Sequence, residues 1–267
     1  MGSIFVNEYF KLFNSGENVD VLAIADSWFH YPANNLIPGL YNALEQPTIY
    51  VLGDSGKRAD ELAAGTWLAK FRQMLAENPG TRLVCISAGG NDFAGIGDLD
   101  DKVLKPDCSS ETTAAGCFRA GQPDGVFADV MTAYRTLLDA ASAARPGLPV
   151  LMHNYDYAIP DGRTLPGMRS WLKLPMDNCR VPTPGAPLGG IRREIVAILI
   201  DTFTLALDAL EAEYAGGTKA RAELVWSAGT LRTDEWANEL HPRFAAFNRV
   251  VRDAWRGPAR RAFGLPV

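Results

Sequence analysis

Four short segments of this chain each end an apolar run on residues able to do chemistry, though they lie far apart in sequence. In Val21-Leu-Ala-Ile-Ala-Asp-Ser-Trp28 a strand-like run stops at a serine. A buried parallel strand ending there delivers a hydroxyl to the C-terminal edge of a sheet, where open α/β proteins keep their ligands. Ser27 is therefore a candidate nucleophile, although Asp and Ser in this position are also ordinary helix N-caps. Ile49-Tyr-Val-Leu-Gly-Asp-Ser-Gly56 ends a second run, and Gly56 lets a backbone N–H approach a developing oxyanion with no Cβ in the way. Leu83-Val-Cys-Ile-Ser-Ala-Gly-Gly-Asn-Asp92 ends a third, where the Asn91 amide could donate to the same oxyanion. The three histidines stand at positions 30, 153 and 241, which narrows the choice of general base. His241, in Trp236-Ala-Asn-Glu-Leu-His-Pro242, follows the last strand-like run, and Pro242 is suited to open a helix at its first position. A hydroxyl, a base and two oxyanion donors on one sheet edge would perform acyl transfer.

The elements that must position them follow from periodicity. Strands are expected at roughly 21–26, 48–53, 82–88, 149–154 and 223–228, alternating with helical stripes. The stripes are Leu62, Trp67, Leu68, Phe71 and Leu75; Ile195, Leu199, Phe203, Ala206 and Leu210; and Phe244, Phe247, Val251 and Trp255. Such alternation implies a three-layer α/β/α domain over residues 1–267, with a five-stranded parallel sheet between helices. Two long connections, 93–124 and 156–189, leave C-terminal strand ends and must pass near Ser27. The second carries Trp171, Leu172, Leu174 and Met176 with Pro175, Pro182, Pro184 and Pro187, the composition of an ordered apolar lid or acyl-binding wall. Trp28, His30 and Tyr31 either line the pocket mouth or pack the first helix, and His153, at the end of the fourth strand, reads as a core histidine rather than a second base.

Taken in order, Ala25-Asp-Ser-Trp28, Ser55-Gly56, Gly89-Gly-Asn-Asp92 and Asn238-Glu-Leu-His241 resemble the four blocks of the SGNH (GDSL-type) hydrolases. The resemblance spans essentially the whole chain. It implies a flavodoxin-like strand order 2-1-3-4-5 and a serine ester hydrolase with Ser27 as nucleophile and His241 as base. It also implies an oxyanion hole of Ser27 N–H, Gly56 N–H and the Asn91 side chain. Two positions depart from the pattern. Ala25 replaces the usual Gly, and Asn238 stands where the family places Asp three residues before His. A neutral amide can orient an imidazole but hardly stabilises an imidazolium. The orienting group is thus Asn238, Asp234, Glu235 or a backbone carbonyl.

A composition of 47 % hydrophobic and 21 % charged residues fits one domain with a large core, and a net charge of −5 argues against a nucleic-acid partner. The arginines at 252, 256, 260 and 261 read as a solvated terminal helix. No apolar run approaches a membrane span, and Met1–Glu8 lacks the pattern of a signal peptide. A cytoplasmic location follows if this is the natural start, and a secreted one if a leader has been removed. Cys85 is expected in the core, whereas the Cys108 and Cys117 spacing permits a local disulfide. The acidic residues Asp98, Asp100, Asp101 and Asp107 match no calcium loop and no cysteine pair has zinc-finger spacing, so neither metal nor cofactor is expected. The chemistry points to a small-molecule ester as substrate. Within that class a polar, narrow pocket would suit a carbohydrate O-deacetylase, and a long apolar groove a lysophospholipase. Outside it stands a binding protein on the same scaffold, weakened by Asn238.

Overall fold

The computed structural model describes residues 1–267 except 32–33, 96, 165–166, 168, 184–189 and 216–217. Its centre is β2 (Val21–Ala25), buried at every residue because helices cover both faces. β2 lies between β3 (Ile49–Gly53) and β4 (Leu83–Ser87), followed by β5 (Pro149–His153) and β6 (Arg221–Val225), all parallel. These five strands take the order expected from the resemblance. Ala25 pairs with both Gly53 and Ser87, so the three strands end level and the segments after them leave from one edge.

The sheet has six strands rather than five, because β1 (Ile4–Val6) adds a parallel edge beside β3. Three residues are too few to display a period, and only Phe5 turns inward while Ile4 and Val6 stay exposed. On one face pack the helices Ala59–Leu62, Gly65–Glu77, Asp124–Ala144 and Ile191–Glu213. On the other pack Ile37–Ala43 and the C-terminal run Phe244–Val250, Val251–Trp255 and Arg256–Phe263. The stripes are buried as their spacing requires, with Phe71, Leu75, Ile195, Leu199, Phe203, Leu210, Phe247, Val251 and Trp255 in the core. Trp67, Leu68 and Ala206 are half-buried at the margin of the core, and Phe244, the first residue of its helix, remains exposed. That helix starts two residues after Pro242, which instead forms an antiparallel bridge with Trp236, so the proline is not at the first helical position.

The connection 93–124 is largely ordered, with turns of helix at Leu99–Val103 and Ala115–Cys117, a bridge between Leu104 and Phe118, and Leu99, Val103 and Cys108 buried beneath. The connection 156–189 contains the helix Lys173–Asn178; Pro184 and Pro187 lie outside the described residues. Cys85, Cys108, Cys117 and Cys179 are all buried free thiols, so the disulfide that the Cys108–Cys117 spacing permits is not formed. No helix among the described residues is long and apolar enough to cross a membrane.

Candidate active site

Ser27 begins the four-residue helix Ser27–His30, and the capping role belongs to its neighbour: Asp26 Oδ1 accepts from Trp28 N at 3.0 Å. The Ser27 hydroxyl is thereby left for other work, and its N–H, first in the helix, has no intrahelical acceptor. Gly53 permits the close approach beside it. A Cβ there would stand 1.8 Å from the Ala25 carbonyl oxygen.

His241 arrives from the far end of the chain, and its Nε2 lies 2.8 Å from Ser27 Oγ. Its Nδ1 lies 3.0 Å from Asn238 Oδ1, which also accepts from Leu240 N at 2.9 Å and His241 N at 2.8 Å. Two backbone donors converging on one atom require that atom to be the amide oxygen, not its NH₂. The imidazole must then carry its proton on Nδ1, which leaves the Nε2 lone pair for the Ser27 O–H. The other candidates for this orienting position point elsewhere. Asp234 is exposed beside Arg232, and Glu235 binds Arg249 Nε at 2.9 Å and caps Arg232 N at 2.7 Å. Tyr31 stacks on the His241 ring at 4.1 Å between centroids and Trp171 meets it edge-on at 6.0 Å. Burial by such neighbours pushes the His241 pKa down to about 4.

Facing this pair, Gly56 and Asn91 line the same cleft as Ser27 and His241. Gly56 has φ +83°, and an added Cβ would meet nothing within 4 Å, so glycine is required there by the backbone conformation rather than by crowding. One N–H of the Asn91 amide holds the adjoining turn through Lys57 O at 3.0 Å. The second hydrogen of that NH₂ group is available to a ligand. Asp92 ties the segment down by accepting from Ala59 N at 2.9 Å, and burial raises its pKa to about 7.

No family model and no curated protein matches the sequence. Solved structures do match the fold. A candidate acylhydrolase from Bacteroides fragilis superposes with TM-score 0.52 at 13 % identity, over 96 % of this chain and 97 % of its own. A GDSL-like lipase from Bacteroides thetaiotaomicron gives 0.51 at 11 %, over 96 % of each chain. A candidate SGNH hydrolase from Slackia heliotrinireducens gives 0.50 at 15 %, over 88 % of this chain and 96 % of its own. The chain has the SGNH-hydrolase fold.

On this SGNH scaffold two cavities meet at Ser27. The inner one is narrow, about 40 Å³, with walls formed mainly by Phe93, Leu172, Val196, Leu199, Ile200 and Trp236. The outer one is about 610 Å³ and bears Tyr31, Ser55, Arg58, Glu61, Asp98 and Trp171. Trp28 does both things its position allows: it walls the inner cavity, and it packs its helix inward against His153 and Phe247, with ring centroids 5.3 and 5.2 Å away. Its Nε1 also donates to Leu240 O at 3.1 Å. His30 instead turns toward Asn7 and Asp54.

Behind Ser27 lies a second polar chain. Asp26 Oδ1 accepts from Ser87 Oγ at 2.7 Å and Asp26 Oδ2 from Tyr155 Oη at 2.6 Å, while His153 Nε2 lies 2.9 Å from Ser87 Oγ. His153 is a core residue, fully buried, and burial drives its pKa down to about 3. Burial also raises Asp26 to about 6 against the lowering effect of its hydrogen bonds. In the sequence Asp26 shows only a capping signal, and Ser87 and Tyr155 show no local pattern that marks their part in this chain.

Proposed function

We propose that this protein hydrolyses carboxylic esters through an acyl-enzyme, and that Ser27, His241 and Asn238 carry the reaction. The observation that supports this most is the 2.8 Å contact between Ser27 Oγ and His241 Nε2, with the tautomer fixed by Asn238. His241 Nε2 takes the Ser27 proton as Oγ forms a bond to the ester carbon. The carbonyl electron pair moves onto oxygen, where Ser27 N–H, Gly56 N–H and Asn91 Nδ2 are the proposed donors. Collapse of this intermediate breaks the bond to the alcohol, which leaves with the proton from His241. Water then repeats the sequence on the acyl-enzyme and frees the acid. Asn238 orients His241 without supplying the negative charge that a carboxylate would place beside the imidazolium.

The two cavities favour a short acyl group and a polar alcohol. About 40 Å³ admits only a few water-sized groups, whereas the outer cleft offers Arg58, Glu61 and Asp98 to hydroxyls. This favours the carbohydrate O-deacetylase reading over a lysophospholipase, whose long chain finds no corresponding apolar groove at Ser27 among the described residues. The test is hydrolysis of p-nitrophenyl esters from acetate to palmitate beside a panel of sugar acetates. Turnover should fall steeply beyond about four carbons. A preference for palmitate would reverse the assignment of the inner cavity, and absence of turnover on every ester would leave a binding protein on this scaffold.

A further inference from the structure

Glu239 stands two residues before His241 and is fully buried. Its Oε1 accepts from Gly162 N and Lys173 N, each at 2.9 Å. Its Oε2 accepts from Ser170 Oγ at 2.9 Å, Trp171 N at 2.7 Å and Leu172 N at 3.0 Å. A buried carboxylate left without partners would be very costly, but these neutral donors satisfy both oxygens through charge-assisted bonds. Only an acceptor-only group meets them all, since an amide would turn its NH₂ against two or three N–H or O–H donors. The backbone joins the same pieces, with Glu239 N donating to Arg163 O at 3.0 Å.

These donors come from Gly162 and from residues 170–173, two of which, Trp171 and Leu172, line the cavities at Ser27. Trp171 lies edge-on to His241 and faces the outer cleft, and Leu172 faces the inner one. Glu239 therefore ties the loop that supplies the base to the wall that meets both ends of a substrate. We propose that Glu239 is a positioning residue for substrate selection: by fixing Trp171 and Leu172 against Ser27 and His241 it sets the length of acyl group the site accepts. This rests on the ester-hydrolase reading above.

The experiment compares the wild type with Glu239→Gln in three measurements. Labelling of Ser27 by diethyl p-nitrophenyl phosphate reports the nucleophile itself. Steady-state kinetics on p-nitrophenyl acetate and octanoate report the wall, and a double mutant with Trp171→Ala reports whether the two act together. Labelling should stay within about threefold of wild type, while KM for acetate rises about tenfold and the preference for acetate over octanoate narrows about tenfold. Adding Trp171→Ala to Glu239→Gln should change KM by less than about twofold. An unchanged KM and chain-length preference with only a lowered Tm would overturn the proposal, as would full additivity with Trp171→Ala. If Glu239→Gln does not fold, Ser170→Ala removes a single donor; a rise in KM of about threefold supports the proposal and no change overturns it. A wild type that fails to label and hydrolyses no ester would bring down the ester-hydrolase reading and this proposal with it. A labelled, active wild type beside an indistinguishable variant would bring down this proposal alone.

Discussion

Two buried histidines in this molecule each place Nε2 within hydrogen-bond distance of a serine hydroxyl, yet only one pair is arranged for chemistry. In the core pair, His153 Nδ1 accepts from Tyr155 N at 3.3 Å, so Nε2 carries the proton and donates to Ser87. Ser87 in turn gives its own proton to Asp26, and its oxygen is fully buried. In the cleft pair the order is reversed: His241 Nδ1 donates to Asn238, and Nε2 accepts from Ser27. The same two side chains thus form a structural brace or an activated hydroxyl, according to which ring nitrogen the backbone protonates and whether a ligand can reach the oxygen.

The most severe way to break the comparison is Ser27→Ala or His241→Ala, each expected to lower kcat by at least about 10⁴ with the fold retained. Ester turnover and circular dichroism on the same samples check this, and near-wild-type turnover would refute the assignment. Asn91→Ala should lower kcat by about 10² to 10³ with little change in KM, because Asn91 lines the cleft of the Ser27–His241 pair and its amide would donate to the oxyanion only as charge develops. A rise in KM alone would make Asn91 a ground-state binding residue. Asn238→Ala should cost about tenfold, since it removes orientation but no charge, and Asp234→Ala and Glu235→Ala should be close to neutral. A thousandfold loss in either acidic variant would contradict the geometry around His241. Smallest in activity is Ser87→Ala, which should change kcat by less than about threefold while lowering unfolding free energy by about 1–3 kcal/mol, measured in denaturant, because Asp26 and His153 each lose a partner.

A pH titration sharpens the same contrast. With burial holding His241 near 4, it stays neutral above that value, so the acid limb of kcat/KM should fall near pH 4 rather than near 6.5. Asn238→Asp should move that limb upward by placing a negative charge beside the ring. Both histidines take up protons in the unfolded chain near pH 6.5 but in the folded chain only near 4 and 3. Their contribution to stability is therefore present above 6.5 and is lost as pH falls through those lower values. Asp26, raised to about 6, acts in the opposite sense: its contribution is present below the ordinary carboxylate value and is lost as pH rises through about 6.

The sequence by itself determined the parallel sheet, its five main strands, the three helical stripes and the segments carrying Ser27, Gly56, Asn91 and His241. Each of these rests on a local pattern, an apolar run or a helical period ending in a residue of particular chemistry, and local patterns are written along the chain. Tertiary structure alone decided the rest. β1 is a strand because β3 offers it an edge, and its own three residues show no period. Asn238 is chosen over Asp234 and Glu235 because two backbone donors turn its oxygen toward His241 while arginines draw the carboxylates away. Ser87 and His153 form a brace and Ser27 and His241 an open pair because of contacts from residues distant in sequence. Glu239, two residues before His241, carries no local sign of its role, since its partners lie 66–77 residues away and a buried carboxylate is recognised only when its donors have folded around it.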